Sequence, residues 1–118
     1  MEISTREVGT ATVVDLVGDI TLHNSPAVRK ALLDLLEVKR VVRTVVNLRA
    51  VKYIDSSGVA SLVEALKASR DCRTALALYG LSTTVREVLE LTRLLKLFDI
   101  YADEESAVRG VDDGAGAA

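Results

Sequence analysis

The chain has 118 residues, 49% hydrophobic and 27% charged, which suits one compact domain and excludes a disordered chain. Seven glycines, one proline and one cysteine exclude collagen-like and disulfide-scaffold classes. Fifteen Lys and Arg against 17 Asp and Glu leave a net −2, and with no Trp there is neither the basic footprint nor the stacking rings of a nucleic-acid binder.

Residues 2–8 (EISTREV) alternate loosely, and Gly9-Thr10 reads as a two-residue turn into the strand ATVVDLVG. The second strand of this hairpin is the more apolar, hence the more buried. DITLHN (19–24) is a polar loop. Ser25-Pro26 has the form of an N-cap followed by proline at the first helical position. Val28, Leu32, Leu35 and Leu36 then make one apolar face of a helix running to about Val38. VVRTVVNL (41–48) is β-branched and almost continuously apolar, as a strand covered on both faces would be.

The loop RAVKYIDSSG leads into a second helix, marked by Val59, Leu62, Val63 and Leu66. Residues 74–79 are a third buried strand. Gly80-Leu81-Ser82 turns into a third helix, where Thr84 and Glu87 have capping-box spacing. Residues 97–101 form a short strand, and Asp103-Glu104-Glu105 places acids at the start of a last helix. The stretch 110–118 (GVDDGAGAA) has no apolar period and is expected to be a disordered tail. The order β-β-α-β-α-β-α-β-α predicts an α/β domain with a mixed, mostly parallel sheet, an N-terminal antiparallel hairpin and about four helices. Periodicity leaves open whether the helices cover one face or both.

No apolar run approaches the roughly 18 residues of a membrane span. The start MEISTREVGT lacks the basic and apolar regions of a signal peptide, so a cytoplasmic chain is expected. The lone Cys72 cannot close an internal disulfide, which fits a reducing compartment. One His and one Cys put a His/Cys metal cluster out of reach, and no phosphate-binding or nucleophile-elbow motif occurs. No cofactor and no enzymatic activity are expected.

The chemistry concentrates in VVNLRAVKYIDSSGVASLVEAL (45–66), where a buried strand, a short loop and D-S-S-G open a helix. Asp55, Ser56 and Ser57 can be read simply as capping residues. Gly58 has poor propensity early in a helix and suggests that another protein surface or a phosphate approaches the backbone closely. The alternative is a phosphoacceptor serine, since added negative charge is tolerated at a helix N-terminus. A receiver-like role for Asp55 lacks the paired acids that would hold Mg²⁺.

These residues resemble the STAS domain family, and within it the bacterial anti-sigma factor antagonists. The resemblance runs over about 3–109 and rests on the D-S-S-G frame, on Gly18-Asp19-Ile20-Thr21 after the second strand, and on 81–101 as a closing helix and strand. It implies a single STAS-like domain at 1–109 that, unphosphorylated, binds an anti-sigma factor serine kinase and frees a sigma factor. It also implies Ser56 as the acceptor, less readily Ser57, with a serine phosphatase as the resetting partner. Partner contacts are implied at Asp19, Thr21, His23, Asn24, Asp55, Ser56, Ser57 and Gly58. A monomer is expected. Thr21 stands where the family usually has Asp, and Arg93 where a glycine often sits, a change that would lengthen the closing helix. His23 reads either as a solvent-facing loop residue or as a contact to a partner or phosphate. The rival roles within the same fold are an accessory subunit of a phospholipid ABC transporter and a scaffold component of a stress-sensing assembly.

Overall fold

In a computed structural model that describes residues 1–112, β1 (Glu2–Val8) pairs antiparallel with β2 (Ala11–Val17) across the Gly9-Thr10 turn. Strands β3 (Arg43–Ala50), β4 (Ala75–Tyr79) and β5 (Asp99–Tyr101) follow in parallel, giving the order β1-β2-β3-β4-β5. Between them lie α1 (Ser25–Leu33), α2 (Ser56–Asp71) and α3 (Thr83–Leu91), and α4 (Glu104–Asp112) ends the described residues. The mixed sheet and the order of elements are as the sequence predicts.

Strand alternation decides what each face meets. Val14, Leu16, Val46, Leu48, Leu76 and Leu78 point into the main core with the apolar faces of α1, α2 and α3. Val13, Val45, Ala75, Ala77 and Tyr79 face the other way, onto Ala107 and Val111 of α4. The helices therefore cover both faces, three against one, and this is why β3 and β4 read as continuous apolar runs. A polar group of four ties α4 to β1, β2 and β4. Arg6 pairs with Asp15 at 2.7 Å and with Glu104, while the Tyr79 hydroxyl donates to Glu104 at 3.0 Å. Burial, and that bond to the Glu104 carboxylate, push the Tyr79 hydroxyl up to about 12.

Several boundaries differ from expectation, each for a local reason. Ser25 is not the N-cap of α1 but its first residue, and Asn24 occupies the cap position. The expected capping box at Thr84 and Glu87 does not form, because Ser82 caps α3 two residues earlier, accepting from the Val85 N–H at 3.1 Å. Residue 97 belongs to a 3₁₀ turn (Leu95–Leu97), so β5 is shorter than predicted. Helix α4 runs through residues 110–112 with Val111 buried, which moves the expected tail boundary of 110 outward. The rest of that expected tail, 113–118, lies outside the described residues.

Helix endings form a pattern that the sequence conceals. Helix α1 passes into a π-helical turn (Asp34–Val38), and Arg40, Arg73 and Arg93 each take a left-handed φ, 55°, 57° and 60°, just beyond a helix end. After α2, Thr74 N–H reaches the Ser69 carbonyl at 2.9 Å and Arg73 N–H reaches Arg70 at 3.1 Å. After α3, Leu94 N–H reaches Leu89 at 2.8 Å and Arg93 N–H reaches Glu90 at 3.0 Å. These bond pairs close the last turn around a left-handed residue that is usually glycine. Arg93 therefore does not lengthen the helix, which ends at Leu91. Left-handed backbone costs a residue with a side chain about 1–2 kcal/mol, and glycine's extra chain entropy returns about 0.5–1 kcal/mol of that. Arg93→Gly is thus expected to stabilise the domain by about 0.5–1 kcal/mol, read as a higher urea midpoint at unchanged slope. A lower midpoint would contradict the assigned backbone.

Candidate functional site

Two loops meet at the start of α2. The loop after β2 and the loop after β3 are joined by a parallel bridge between Ile20 and Ile54, with Ile20 N–H on the Tyr53 carbonyl and Asp55 N–H on the Ile20 carbonyl, both at 3.0 Å. Ile20 and Ile54 are fully buried. Burying these two side chains draws the two loops together. Asp19 adds a further tie, its Oδ1 accepting from the Tyr53 N–H at 3.2 Å.

Asp55 occupies the N-cap of α2. Its Oδ1 accepts from the Ser57 and Gly58 N–H groups at 3.0 Å each and from the Ser57 hydroxyl at 2.6 Å. Its Oδ2 accepts from the Leu22 N–H across the loop at 2.9 Å. The Ser57 hydroxyl above all, then the Gly58 and Leu22 amides, hold this carboxyl below the usual carboxylate range. Capping is therefore real here, and it falls on Asp55, braced by the Ser57 hydroxyl, rather than on either serine.

Ser56 is the first residue of α2 and is exposed. Its hydroxyl has no hydrogen-bond partner among the described residues. Two adjacent serines thus differ in kind: one hydroxyl is bound to a carboxylate and the other faces solvent. Ser61, a turn further on, bonds the carbonyls of Ser57 at 3.1 Å and Ser25 at 3.2 Å, tying α2 to the start of α1.

Gly58 corrects the sequence reading. A Cβ there would lie 2.6 Å from Ile54 Cγ1, 2.8 Å from Ile20 Cγ2 and 2.8 Å from the Ile20 carbonyl oxygen. What approaches this backbone closely is the chain's own Ile20–Ile54 bridge, and Gly58 itself is buried. Glycine is required for packing beneath the site, not for a partner or phosphate above it.

The remaining predicted residues divide by role. Asn24 is internal scaffolding: its Oδ1 accepts from the Thr21 N–H at 2.8 Å and its Nδ2 donates to the Asp19 carbonyl at 2.6 Å. Thr21 serves through its main chain, its carbonyl accepting from the Asn24 and Ser25 N–H groups at 3.0 and 2.7 Å. A side-chain change at 21 leaves those bonds intact. His23 is exposed and is not drawn into this network. Sequence reasoning missed Leu22, whose side chain is 74% exposed beside Asp55, and Tyr53, 46% exposed. It also missed a groove of about 410 Å³ that runs from Ser56 along α2 past Ala60 and Val63, walled on the other side by Leu94. Exposed apolar residues in loops carry no period, so only the assembled surface reveals them.

A family description, the STAS domain, matches residues 2–107 of the chain. The anti-sigma-B factor antagonist of Listeria monocytogenes is 32% identical over 85 residues, 72% of this chain and 74% of that one. The crystal structure of an anti-sigma factor antagonist from Mycobacterium paratuberculosis superposes with a TM-score of 0.86 at 22% identity, covering 95% of this chain and 94% of that one. The Bacillus cell fate determinant SpoIIAA in its phosphorylated form superposes with a TM-score of 0.70 at 20% identity, covering 92% and 98%. At those identities the two structures speak for the fold alone. No helix among the described residues is long and apolar enough to cross a membrane.

Proposed function

The chain belongs to the STAS domain family, and on that premise we propose that it is a phosphorylation-switched antagonist of an anti-sigma factor, acting in the cytoplasm as a monomer. Unphosphorylated, it sequesters an anti-sigma factor that is itself a serine kinase, and a sigma factor is released. The kinase transfers the γ-phosphoryl group of ATP to Ser56 Oγ, releasing ADP and the hydroxyl proton, and the complex separates. A serine phosphatase hydrolyses the phosphoserine and resets the protein. The chain supplies a surface and an acceptor, and the catalytic groups belong to its partners.

The observation that carries this reading is the contrast between neighbouring serines. Ser56 is exposed at the first position of α2 with an unengaged hydroxyl, whereas Ser57 is tied to Asp55 at 2.6 Å. A kinase must bring the acceptor oxygen to within attacking distance of a phosphoryl group, and only an exposed hydroxyl permits that. The 32% identity to an anti-sigma-B factor antagonist supports the same assignment. The surrounding surface suits a docking partner, with Leu22 and Tyr53 exposed beside the acceptor.

Incubation with the cognate kinase and ATP, followed by peptide mapping, tests the acceptor. Phosphate is expected on Ser56 in the native chain and in Ser57→Ala, and not on Ser57 in Ser56→Ala. Label confined to Ser57 would overturn the assignment.

A further inference from the structure

Strand β3 does not run straight into the loop that carries Asp55 and Ser56. Asp15 of β2 pairs with Asn47, yet Val17, two residues on, pairs with Ala50, three residues on. Between those points β3 holds one residue more than its neighbour, and the ladder bulges. Burial follows the same step. Val46 and Leu48 point into the main core, but the next inward side chain is Val51, with Arg49 and Ala50 both exposed. Strict alternation would carry Ala50 inward and turn Val51 out. Two main-chain bonds hold the new phase: Val51 N–H reaches the Leu48 carbonyl at 3.0 Å, and Gly18 N–H reaches the Ala50 carbonyl at 3.1 Å.

One side chain spans the bulge. Asn47 Oδ1 accepts from the Arg49 N–H at 3.0 Å, and Asn47 Nδ2 donates to Asp15 Oδ1 at 2.7 Å. Asp15 is gripped in turn by Arg6, from Nε at 2.7 Å and from a terminal nitrogen at 3.1 Å, and Arg6 also pairs with Glu104 of α4. Chemistry assigns both ends of the Asn47 amide, since an ionised carboxylate only accepts and a main-chain N–H only donates. Asparagine is the short side chain that does both at once. Aspartate would keep the bond to the Arg49 N–H but set a second carboxylate against Asp15.

We infer that Asn47 is a positioning residue for the loop that presents Ser56: it fixes the extra residue of β3, and with it the register in which residues 51–55 meet the loop after β2. The Ile20–Ile54 bridge and the bond from the Leu22 N–H to Asp55 Oδ2 at 2.9 Å both follow that register. A slip of one residue moves a strand by about 3.3 Å, more than a hydrogen bond tolerates, and takes Asp55 out of reach of Leu22. Asn47 stands nine residues before Ser56 and bonds neither it nor Asp55, so it acts through the main chain. The importance of Ser56 rests on the acceptor reading above, whereas the register assignment does not.

Exchanging the two side chains tests this in the full chain. Asn47→Asp and Asn47→Ala are each expected to speed amide-proton exchange at Gly18 and Leu22 by about tenfold, with Val45 and Val46 unchanged. The double variant Asp15→Asn with Asn47→Asp puts the amide on β2 and the carboxylate on β3 at the same total charge, and is expected to restore native exchange. With the cognate kinase and ATP, phosphorylation of Ser56 should slow about tenfold in Asn47→Asp and recover in the double variant. Native exchange in both single variants would overturn the proposal. So would faster exchange spread equally over Val45 and Val46, or a double variant no better than Asn47→Asp. Restored exchange at Gly18 and Leu22, with no phosphate on Ser56 in any form, would reject the acceptor reading and leave the positioning role standing.

Discussion

Gly58→Leu is expected to lower the thermal midpoint by roughly 10 °C or more, and to do so with no partner present. The added Cβ alone would fall 2.6 Å from Ile54 Cγ1 and 2.8 Å from both Ile20 Cγ2 and the Ile20 carbonyl oxygen. The side-chain atoms belong to fully buried isoleucines, and the oxygen is main chain that already accepts from Asp55 N–H. None of the three can step aside cheaply. Overpacking of this kind costs about 1–3 kcal/mol for a small group, partly offset for alanine by about 1 kcal/mol of helix propensity. Leucine adds three further carbons and gains no more propensity than alanine, so about 3 kcal/mol or more is expected, and each kcal/mol is worth roughly 3–5 °C in a domain of this size. Gly58→Ala should fall between the two. Differential scanning calorimetry decides the matter. A leucine variant as stable as the native chain would mean that the Ile20–Ile54 bridge does not lie against this turn. Loss of partner binding in Gly58 variants is therefore no evidence of a direct contact unless stability is measured beside it.

Phosphorylation of Ser56 is expected to weaken partner binding by about 100-fold or more. A phosphoserine adds about −1.5 to −2 charges at pH 7, next to an Asp55 carboxylate that its hydrogen bonds keep ionised. Three of the first-turn amides that would otherwise stabilise a phosphate are already taken: Asp55 holds the Ser57 and Gly58 N–H groups, and its carbonyl holds that of Val59. Exposure to water, more than the helix N-terminus, is what makes the group tolerable in the free domain. A partner that covers Ser56 removes the water and supplies no substitute. Burying an uncompensated charge costs several kcal/mol, and about 1.4 kcal/mol is tenfold in affinity. Ser56→Asp adds one charge and less bulk, so about a tenfold loss is expected, while Ser56→Ala should bind and fail to switch. Titration calorimetry of the four forms, unmodified, phosphorylated, Ser56→Asp and Ser56→Ala, against one anti-sigma factor measures each value. Equal affinities for phosphorylated and unmodified chains would remove the antagonist role and bring forward a scaffold or transporter-subunit role.

Local pattern was enough to determine the order of elements, the antiparallel hairpin and the parallel remainder. Strand alternation, helical spacing at Val28–Leu36 and Val59–Leu66, and the turn residues are all properties of neighbours in the chain, and hydrophobic burial acts on them directly. The D-S-S-G frame at 55–58 was legible for the same reason, as a strand end, a cap and a helix start in succession. What Gly58 is for was not legible. Its close neighbour Ile20 lies 38 positions upstream in a loop with no period of its own, and only the closed fold brings that residue to within a Cβ of the helix. The end of α3 was misread at Arg93, which stands in a left-handed turn as Arg40 and Arg73 do. Propensity argues against arginine there, and tertiary packing of the following strands and turns overrides it. The division of labour between two identical side chains was decided last. The resemblance already favours Ser56 over Ser57, and it is the three-dimensional course of the loop into α2, with Asp55 held from both sides by Leu22 and Gly58, that gives the physical basis, pointing one hydroxyl inward and leaving the other to solvent.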